Sequence, residues 1–412
     1  MKKRYPLLLL LAAALVVGGF GLATARPRSL HWKADSRIVF HAPEFDLVHT
    51  GELERASIST LSRENLFAGE GRFIYRDEGS AEVSGPERSL FNAPSGSLGK
   101  RLREAFASSP LVRHFRKVPP PFDAVILRSG SILVLYDRMY RSTDGGQSFA
   151  VVDSLPASAA HPDMYGLSEA TPRDDVYYGE LTFQPGPHPV RVYKGTNDGQ
   201  AWSVVYTFPA GVTGHVHNIV YDRFRDRLWL CTGDDAKESK LFYTDDDFRS
   251  VHVLGEGDAG WRIVGLIVTK DSLFWGSDGE PAGSNIYRYD FSSGKRRVVQ
   301  AVGNPVWFAT QLSDGTMVMA SSYEPFIPYS ADESPPREAA LWISRDGSLW
   351  RKSATFSYRP DVHVGLNAVL GLSQANAQRP ALYVSPFGPI EKSLTVQRYE
   401  VRWRTGETST PP

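Results

Sequence analysis

Two histidines stand two residues apart in the segment GHVHNIVYD, as His215 and His217. Residues two apart on a β-strand point to the same side, so the two imidazole rings should lie together. Such a pair could chelate a divalent metal with Asp234 or Asp278, or it could place an acid or base beside a substrate. A metal would need a further ligand that spacing along the chain cannot place, so no cofactor is predicted.

Other polar side chains follow or precede short apolar runs at similar places in the chain. The candidate catalytic residues are Glu180, His215, His217, Asp234, Asp278 and Glu324. The candidate substrate-binding residues are Tyr165, Trp261, Arg262, Trp307 and His363. Two carboxylates could act as acid and base in glycoside hydrolysis. Alternatively, a histidine with Tyr165 and Arg262 could abstract a proton beside a uronic acid carboxylate, as a polysaccharide lyase does.

The elements that position these residues are revealed by an internal repeat. A polar turn recurs at Thr143, Thr196, Thr244, Ser293 and Ser344, with spacings of 48 to 53 residues. Before each turn stand short β-branched and aromatic runs bounded by Gly, Asp, Asn and Ser. This period matches one four-stranded propeller blade per repeat. The sequence therefore predicts an all-β propeller of about six blades, with five to seven allowed.

The recurring pattern of residue types in these turns has a structural explanation. STDGGQSF (142–149) fits the Asp-box pattern, GTNDGQAW (195–202) carries Asn197 at the Asp position, and later copies keep Asp245 or Asp346. An Asp side chain can cap nearby backbone N–H groups and Gly allows positive φ, so these aspartates are poor catalytic candidates. The chain resembles sialidase-like Asp-box propellers, also called BNR-repeat proteins. That resemblance implies a propeller fold and an exo-sialidase-like glycosidase activity, although the family's early Arg-Ile-Pro motif is absent.

The topology of a blade predicts that a functional site lies on the face opposite the Asp boxes. In an antiparallel blade, the start of the first strand and the end of the second strand share the face opposite the polar turns. The candidate site residues occupy those positions, which predicts a glycan-binding mouth there. Each of these residues also has a structural interpretation. Trp261 and Trp307 could belong to the core, and Arg262 could form an ion pair with Glu180 or Asp234. The carboxylates could be a recurring structural feature of the repeat.

The N-terminus predicts export. An apolar run after MKKR ends in Ala-Thr-Ala, so residues 1–25 are a signal peptide or an uncleaved membrane anchor, with the fold in the periplasm or outside the cell. Residues 26–121 would supply closing strands, drawn from 36–75, and a short helix near 96–118, while residues 122–412 form the blades. The single cysteine, Cys231, is expected to be a small buried apolar residue.

Composition restricts the partners. Basic and acidic side chains balance at 46 each, which argues against nucleic acid and against electrostatic attraction to a membrane surface. The expected partner is a glycan or polysaccharide bound by a monomer, with membrane contact only through the N-terminal segment. A non-catalytic propeller that binds a glycan or another exported protein remains the alternative. Carboxylates paired off to arginines would favour that alternative, and unpaired carboxylates with shifted pKa values would favour an enzyme.

Overall fold

The protein is described here by a computed structural model. It describes residues 31–54, the strand segments 56–58, 66–69, 73–76 and 88–89, and residues 123–404 except 136–137, 153, 156–165, 171–173, 183–185, 280–282, 327–334, 362–366 and 375–380. Two features expected from sequence, the N-terminal apolar segment 1–25 and the helix near 96–118, lie outside this range. Within the described residues, no helix is long and apolar enough to cross a membrane.

Antiparallel strands account for most of the described chain. The N-terminal part contains β1 (Lys33–His41), β2 (Phe45–Glu54), β3 (Ala56–Ile58), β4 (Leu66–Gly69), β5 (Phe73–Arg76) and β6 (Arg88–Ser89). The next two repeats contain β7 (Asp123–Ile126), β8 (Ile132–Leu135), β9 (Met139–Ser142), β10 (Ala150–Val151), β11 (Ser168–Ala170), β12 (Asp175–Gly179), β13 (Val190–Thr196) and β14 (Ala201–Phe208).

The second half of the chain continues the same pattern. Its first two repeats contain β15 (Val216–Asp222), β16 (Arg227–Thr232), β17 (Lys240–Thr244), β18 (His252–Gly255), a 3-10 turn (Ala259–Trp261), β19 (Ile263–Val268), β20 (Ser272–Ser277), β21 (Ser284–Asp290) and β22 (Lys295–Gly303). The last two contain β23 (Val306–Gln311), β24 (Met317–Ser321), β25 (Glu338–Ser344), β26 (Arg351–Ser357), β27 (Val369–Gln374), β28 (Ala381–Phe387) and β29 (Thr395–Trp403).

These strands form the blades of a β-propeller. Six sheets have four strands, and the seventh has five strands in the order β1-β2-β29-β28-β27. From β15 onward, the first strand of a sheet packs on the sheet before it, as β19 does on β15 and β16, and β23 does on β19 and β20. The all-β propeller prediction is therefore confirmed. The described residues form seven sheets, at the upper end of the predicted range of five to seven, because β3 to β6 make a sheet whose sequence lacks the polar turn used to count repeats.

The first and last strands of the described chain share one sheet. β2 pairs antiparallel with β29 along its whole length, from Phe45 opposite Trp403 to Glu54 opposite Thr395, and β1 adds a fifth strand outside β2. Because β2 leads into β3, which packs on β27 to β29, the N-terminal strands complete one blade and start the next. Pairing of distant segments removes an exposed strand edge at the seam.

Large apolar side chains between the sheets form the core. Trp229, Trp275, Tyr177 and Tyr178 are fully buried, and Trp261 stacks on Trp275 with ring centroids 5.1 Å apart. A strand packed between two neighbouring blades is covered on both faces, which explains the nearly continuous apolar runs of the middle strands. Cys231 is fully buried in this core, as predicted.

The first polar turn is held by its own aspartate. Asp144 accepts from the Ser148 backbone N–H at 3.0 Å and from the Ser148 hydroxyl at 2.6 Å. The Ser142 hydroxyl donates to Asp144 at 2.7 Å and accepts from the Gly146 N–H at 2.8 Å. The bonds from Ser148 and Ser142 hold the pKa of Asp144 well below its usual range. The Asp144 carboxylate therefore belongs to the turn.

In the third turn, the prediction was wrong by one residue. Asp246, and not Asp245, takes the capping position, accepting from the Ser250 N–H at 2.9 Å and from its hydroxyl at 2.7 Å. Asp245 instead forms an ion pair with Arg227 at 2.7 Å. Phe248 occupies the place of the missing glycine and adopts a φ of 66°. Three consecutive aspartates made the register ambiguous from sequence.

The other copies cap in different ways. Asn197 donates to the Gln200 side chain at 2.9 Å. Asp290 accepts from the Ser293 N–H at 3.0 Å, and Asp346 accepts from the Ser348 N–H at 2.8 Å. Local turn chemistry therefore accounts for the repeated acidic residues on this face of the propeller.

Candidate functional site

The face opposite these turns gathers polar side chains from three consecutive sheets. Strand pairing brings the relevant ends together, because Val216 is opposite Thr232, Ile263 is opposite Ser277, and Val306 is opposite Ser321. The residues that the structure connects there are His215, His217, Asp234, Arg262, Asp278, Trp307 and Glu324. They follow one another along the rim from the sheet of β15 to the sheet of β23.

The turn after β16 fixes the position of Asp234. Gly233 has a φ of 82°, and its N–H donates to the His215 carbonyl at 3.4 Å. A Cβ added at Gly233 would come within 2.2 Å of the Glu238 backbone. Only glycine fits this turn without distortion, because both the positive φ and the close approach exclude a side chain. The Asp234 side chain projects from it and is 55% exposed.

The two histidines lie side by side below Asp234. Their ring centroids are 4.5 Å apart, and both side chains are buried. His217 Nδ1 lies 2.7 Å from the Ile263 carbonyl, which can only accept, so Nδ1 carries a proton. The Nε2 atoms of His215 and His217 lie 3.5 Å and 3.4 Å from Asp234 Oδ1. The cluster therefore points three ligand-type atoms at one another.

The surroundings set the charge of this cluster. Burial and, to a smaller extent, the neighbouring His217 lower the pKa of His215 to about 4 against the opposing effect of Asp234, so the His215 ring is neutral at pH 7. Burial acts to raise the pKa of Asp234, but His217, His215 and Arg262 together hold it well below its usual range. Asp234 is therefore ionised at any physiological pH.

Arg262 connects the histidine cluster to the next carboxylate. Its Nη2 lies 3.4 Å from Asp234 Oδ1, and its Nε lies 3.2 Å from Asp278 Oδ2. The buried Nε has no aligned hydrogen bond, so its contact with Asp278 is an ion pair of poor directionality. Asp278 also accepts a hydrogen bond from Trp307 Nε1 at 2.8 Å. One arginine thus neutralises part of the charge of two aspartates.

Glu324 completes the series and differs from the others. It forms no ion pair with the part of the chain that the structure describes. Burial and the nearby Asp278 raise the pKa of Glu324 from 4.5 to about 7, with a smaller contribution from Asp234, while Arg262 and a hydrogen bond from Trp307 act in the opposite direction. Near neutral pH this carboxyl group can both give and take a proton.

Other predicted site residues lie elsewhere. Glu180 is buried and accepts from the Arg191 N–H at 2.9 Å and from the Tyr193 hydroxyl at 2.9 Å, and it pairs with Arg191 Nη1 at 3.3 Å. It is thus held within its own sheet. Trp261 is packed in the core between sheets, where Arg296 covers its ring at 4.5 Å. Tyr165 and His363 lie outside the described residues.

One residue near the site was not anticipated. His188 lies close enough to His215 to contribute to its lowered pKa, and it contacts the Thr182 hydroxyl and the Gly186 carbonyl, the latter at 2.9 Å. Its position in the long loop between β12 and β13 was the available signal, because such loops open on this face. The histidine-rich end of the site therefore extends toward the sheet of β12.

Comparison with known proteins supports the fold. No protein-family model matches the chain, and no curated protein matches it. Among solved structures, it is similar to YCF48 from Cyanidioschyzon merolae, with a TM-score of 0.50, 12% identity, and coverage of 90% of this chain and 99% of that one. It is also similar to virginiamycin B lyase from Staphylococcus aureus (TM-score 0.49, 11% identity, coverage 90% and 99%). A third is an oligogalacturonate lyase in complex with manganese (0.49, 12%, 88% and 98%). At these identities the similarity is one of fold.

Proposed function

We propose that the protein is an exported, carbohydrate-active propeller that hydrolyses a glycosidic bond at the face opposite the polar turns, with Glu324 as the proton donor. The observation that carries this proposal is the contrast between two neighbouring carboxyl groups. Glu324 has a pKa raised to about 7, whereas Asp278 is held by an arginine and an indole N–H. Carboxyl groups whose environments separate their pKa values are typical of an acid and its ionised partner.

The roles follow from the contacts. Glu324 would protonate the leaving oxygen, and Asp278 would remain ionised to act as base or to stabilise positive charge on the sugar ring. Trp307 supports both groups, because its Nε1 donates to Asp278 at 2.8 Å and also faces Glu324. Its ring, partly exposed at the rim, would offer an apolar surface to a sugar.

The charges favour a neutral sugar over an acidic one. Arg262 already faces Asp234 and Asp278, so its positive charge is matched before any substrate arrives. A sialic or uronic acid would bring a further carboxylate into a cluster in which two aspartates share one arginine. We therefore place neutral glycans ahead of sialosides, although the resemblance to sialidase-like propellers first suggested the latter.

A substrate screen with a pH profile tests the reaction. The purified protein is incubated with neutral glycans, sialosides and uronic acid polysaccharides. Hydrolysis of a neutral glycan is expected, with kcat falling as pH rises above about 7, because the acid must be protonated. An unsaturated product, with activity lost as pH falls below that value, would instead identify a lyase in which Glu324 takes a proton. Sialoside hydrolysis would overturn the choice of a neutral substrate.

A non-catalytic binding function is the second candidate, and one observation favours it. Glu180, Asp234 and Asp278 are all paired with arginines, as a binding surface without chemistry would predict. Glycan binding without turnover, unchanged when Glu324 is replaced by Gln, would support this candidate and overturn the enzyme proposal.

Export is part of the same proposal and rests on the N-terminal sequence. Cleavage after Ala25 would leave a mature chain outside the cytoplasm. Cell fractionation with N-terminal sequencing of the recovered protein checks it. A chain recovered from the cytoplasm with its first 25 residues intact would contradict it.

A further inference from the structure

We propose that His215, His217 and Asp234 form a binding site for one divalent transition-metal ion, with zinc as the representative case. One ring nitrogen of each histidine and a carboxylate oxygen of Asp234 all lie within 4.8 Å of one another. Two imidazoles with one carboxylate are a common ligand set for zinc and related ions. This site does not depend on the proposed hydrolysis, because ion binding is measured without a substrate.

The hydrogen bond at Nδ1 orients the His217 ring so that its other nitrogen faces Asp234. Because the Ile263 carbonyl takes the Nδ1 proton at 2.7 Å, the neutral ring presents a lone pair at Nε2. Nε2 lies on the side of the ring facing Asp234, 3.4 Å from Oδ1. Fixing the ring by its other nitrogen is also how proteins orient metal-binding histidines.

The distances agree with a metal better than with hydrogen bonds. Good N–H···O hydrogen bonds span about 2.7–3.2 Å, whereas the two histidine contacts with Asp234 Oδ1 measure 3.5 Å and 3.4 Å. A tetrahedral ion with bonds of about 2.0–2.1 Å separates its ligand atoms by about 3.3–3.4 Å. The observed spacing therefore matches two edges of a coordination tetrahedron.

The surrounding structure suits such an ion. The side chains of His215 and His217 are 7% and 3% exposed, whereas that of Asp234 is 55% exposed. The proposed site is therefore buried on the histidine side and open to solvent on the aspartate side. A carboxylate has lone pairs for both Arg262 and an ion. Three protein ligands leave at least one position for water or a substrate oxygen, the arrangement of a catalytic rather than a structural zinc site.

Calorimetry on the metal-free protein tests the site directly. After treatment with a chelator, the protein is titrated with Zn²⁺, with Co²⁺ as a spectroscopic probe and with Ca²⁺ as a hard-ion control. We expect one Zn²⁺ per chain, visible d–d bands with Co²⁺, and much weaker binding of Ca²⁺. Failure of the wild-type protein to bind Zn²⁺ saturably would overturn the proposal and leave the hydrolysis proposal untouched.

Three variants assign the ligands. Asp234→Ala, at an exposed position, and His217→Ala should each lower the Zn²⁺ affinity by about 100-fold or more. His252→Ala, an exposed histidine on β18, is the matched control and should bind as the wild type does. If His217→Ala fails to fold, Asp234→Ala still decides the matter. Equal affinity in Asp234→Ala and wild type, or a comparable loss in His252→Ala, would contradict the assignment.

Discussion

Aspartate side chains on the two faces of the propeller have different kinds of partner. On the polar-turn face, Asp144 and Asp246 each accept hydrogen bonds from serines four residues ahead in their own turn. On the opposite face, Asp234 and Asp278 contact side chains from other strands, such as Arg262. The carboxylates of the polar turns find their partners within the same turn, whereas Asp234 and Asp278 find partners on neighbouring sheets.

This difference in partners is accompanied by a difference in the pKa values of the carboxyl groups. Carboxylates held by their own turn have lowered pKa values, as Asp144 and Asp246 do, and such groups are poor proton donors. Burial, together with the neighbouring Asp278, raises the pKa of a carboxyl group that has no basic partner of its own, as it does for Glu324. The environment, and not the residue type, distinguishes a structural carboxylate from a reactive one.

The largest effect is expected from removing the carboxyl group proposed as the proton donor. If the protein hydrolyses a glycan as proposed, Glu324→Gln should lower kcat by about 10²–10⁴-fold, because an amide cannot donate the proton. Asp346→Asn, on the polar-turn face, is the matched control and should change kcat less than about threefold, since surface substitutions away from the site have small effects. Steady-state kinetics of both variants checks the comparison, and equal losses would remove its basis.

A smaller effect is expected from the indole N–H that supports this site. Trp307→Phe keeps an aromatic ring, although a smaller one, and removes the donor to Asp278, so kcat should fall about 10-fold, corresponding to about 1.4 kcal/mol. Trp342→Phe, in the same sheet, removes a longer contact with Ser321 Oγ at 3.4 Å and serves as control. A kcat for Trp307→Phe within twofold of the control would show that this hydrogen bond does not support the reaction.

The raised pKa of Glu324 also has a consequence for stability. Between pH 4.5 and about 7 the folded chain keeps a proton that the unfolded chain releases, so this group stabilises the fold at low pH and the contribution is lost as pH rises. Glu324→Gln should therefore gain about 1 kcal/mol relative to wild type between pH 5 and pH 8, after solvent screening. Asp278, Asp234, Arg262 and Trp307 are the charged and polar groups that face it. Chemical denaturation at both pH values measures the difference, and a constant difference would contradict it.

The smallest effect belongs to the polar turns. Asp246→Ala should lower Tm by about 1–3 °C, because its turn loses bonds to the Ser250 N–H and hydroxyl. Asp245→Ala, next to it, removes only an ion pair with Arg227 and should lower Tm less. Thermal unfolding of the two variants compares them. A larger loss for Asp245→Ala would show that the register of this turn is wrong.

The contrast between the faces also explains what could be read from the sequence. Regular polar turns predicted the propeller, since each turn is capped by residues within a few positions. The sheet of β3 to β6 escaped notice because it lacks that turn. Antiparallel topology predicted that His215, Asp234 and Arg262 would meet, because strand ends on one face are brought together by pairing.

Side-chain pairing between strands could not be predicted in the same way. Glu180 occupies the same topological place as Asp278, yet it is bound to Arg191 and Tyr193 of its own sheet. Which carboxylate is neutralised depends on side-chain directions after packing, and no local pattern records them. The raised pKa of Glu324 likewise depends on burial and on Asp278, 46 positions earlier in the sequence.

The pKa of Glu324 itself decides whether this face holds a proton-transferring carboxyl group. Carboxyl ¹³C chemical shifts of glutamate-labelled protein, followed across pH and assigned through the signal missing in Glu324→Gln, give this value without any substrate. A titration midpoint at about 7 is expected for Glu324. A midpoint near its ordinary value of 4.5 would contradict the claim that this face holds a proton-transferring carboxyl group.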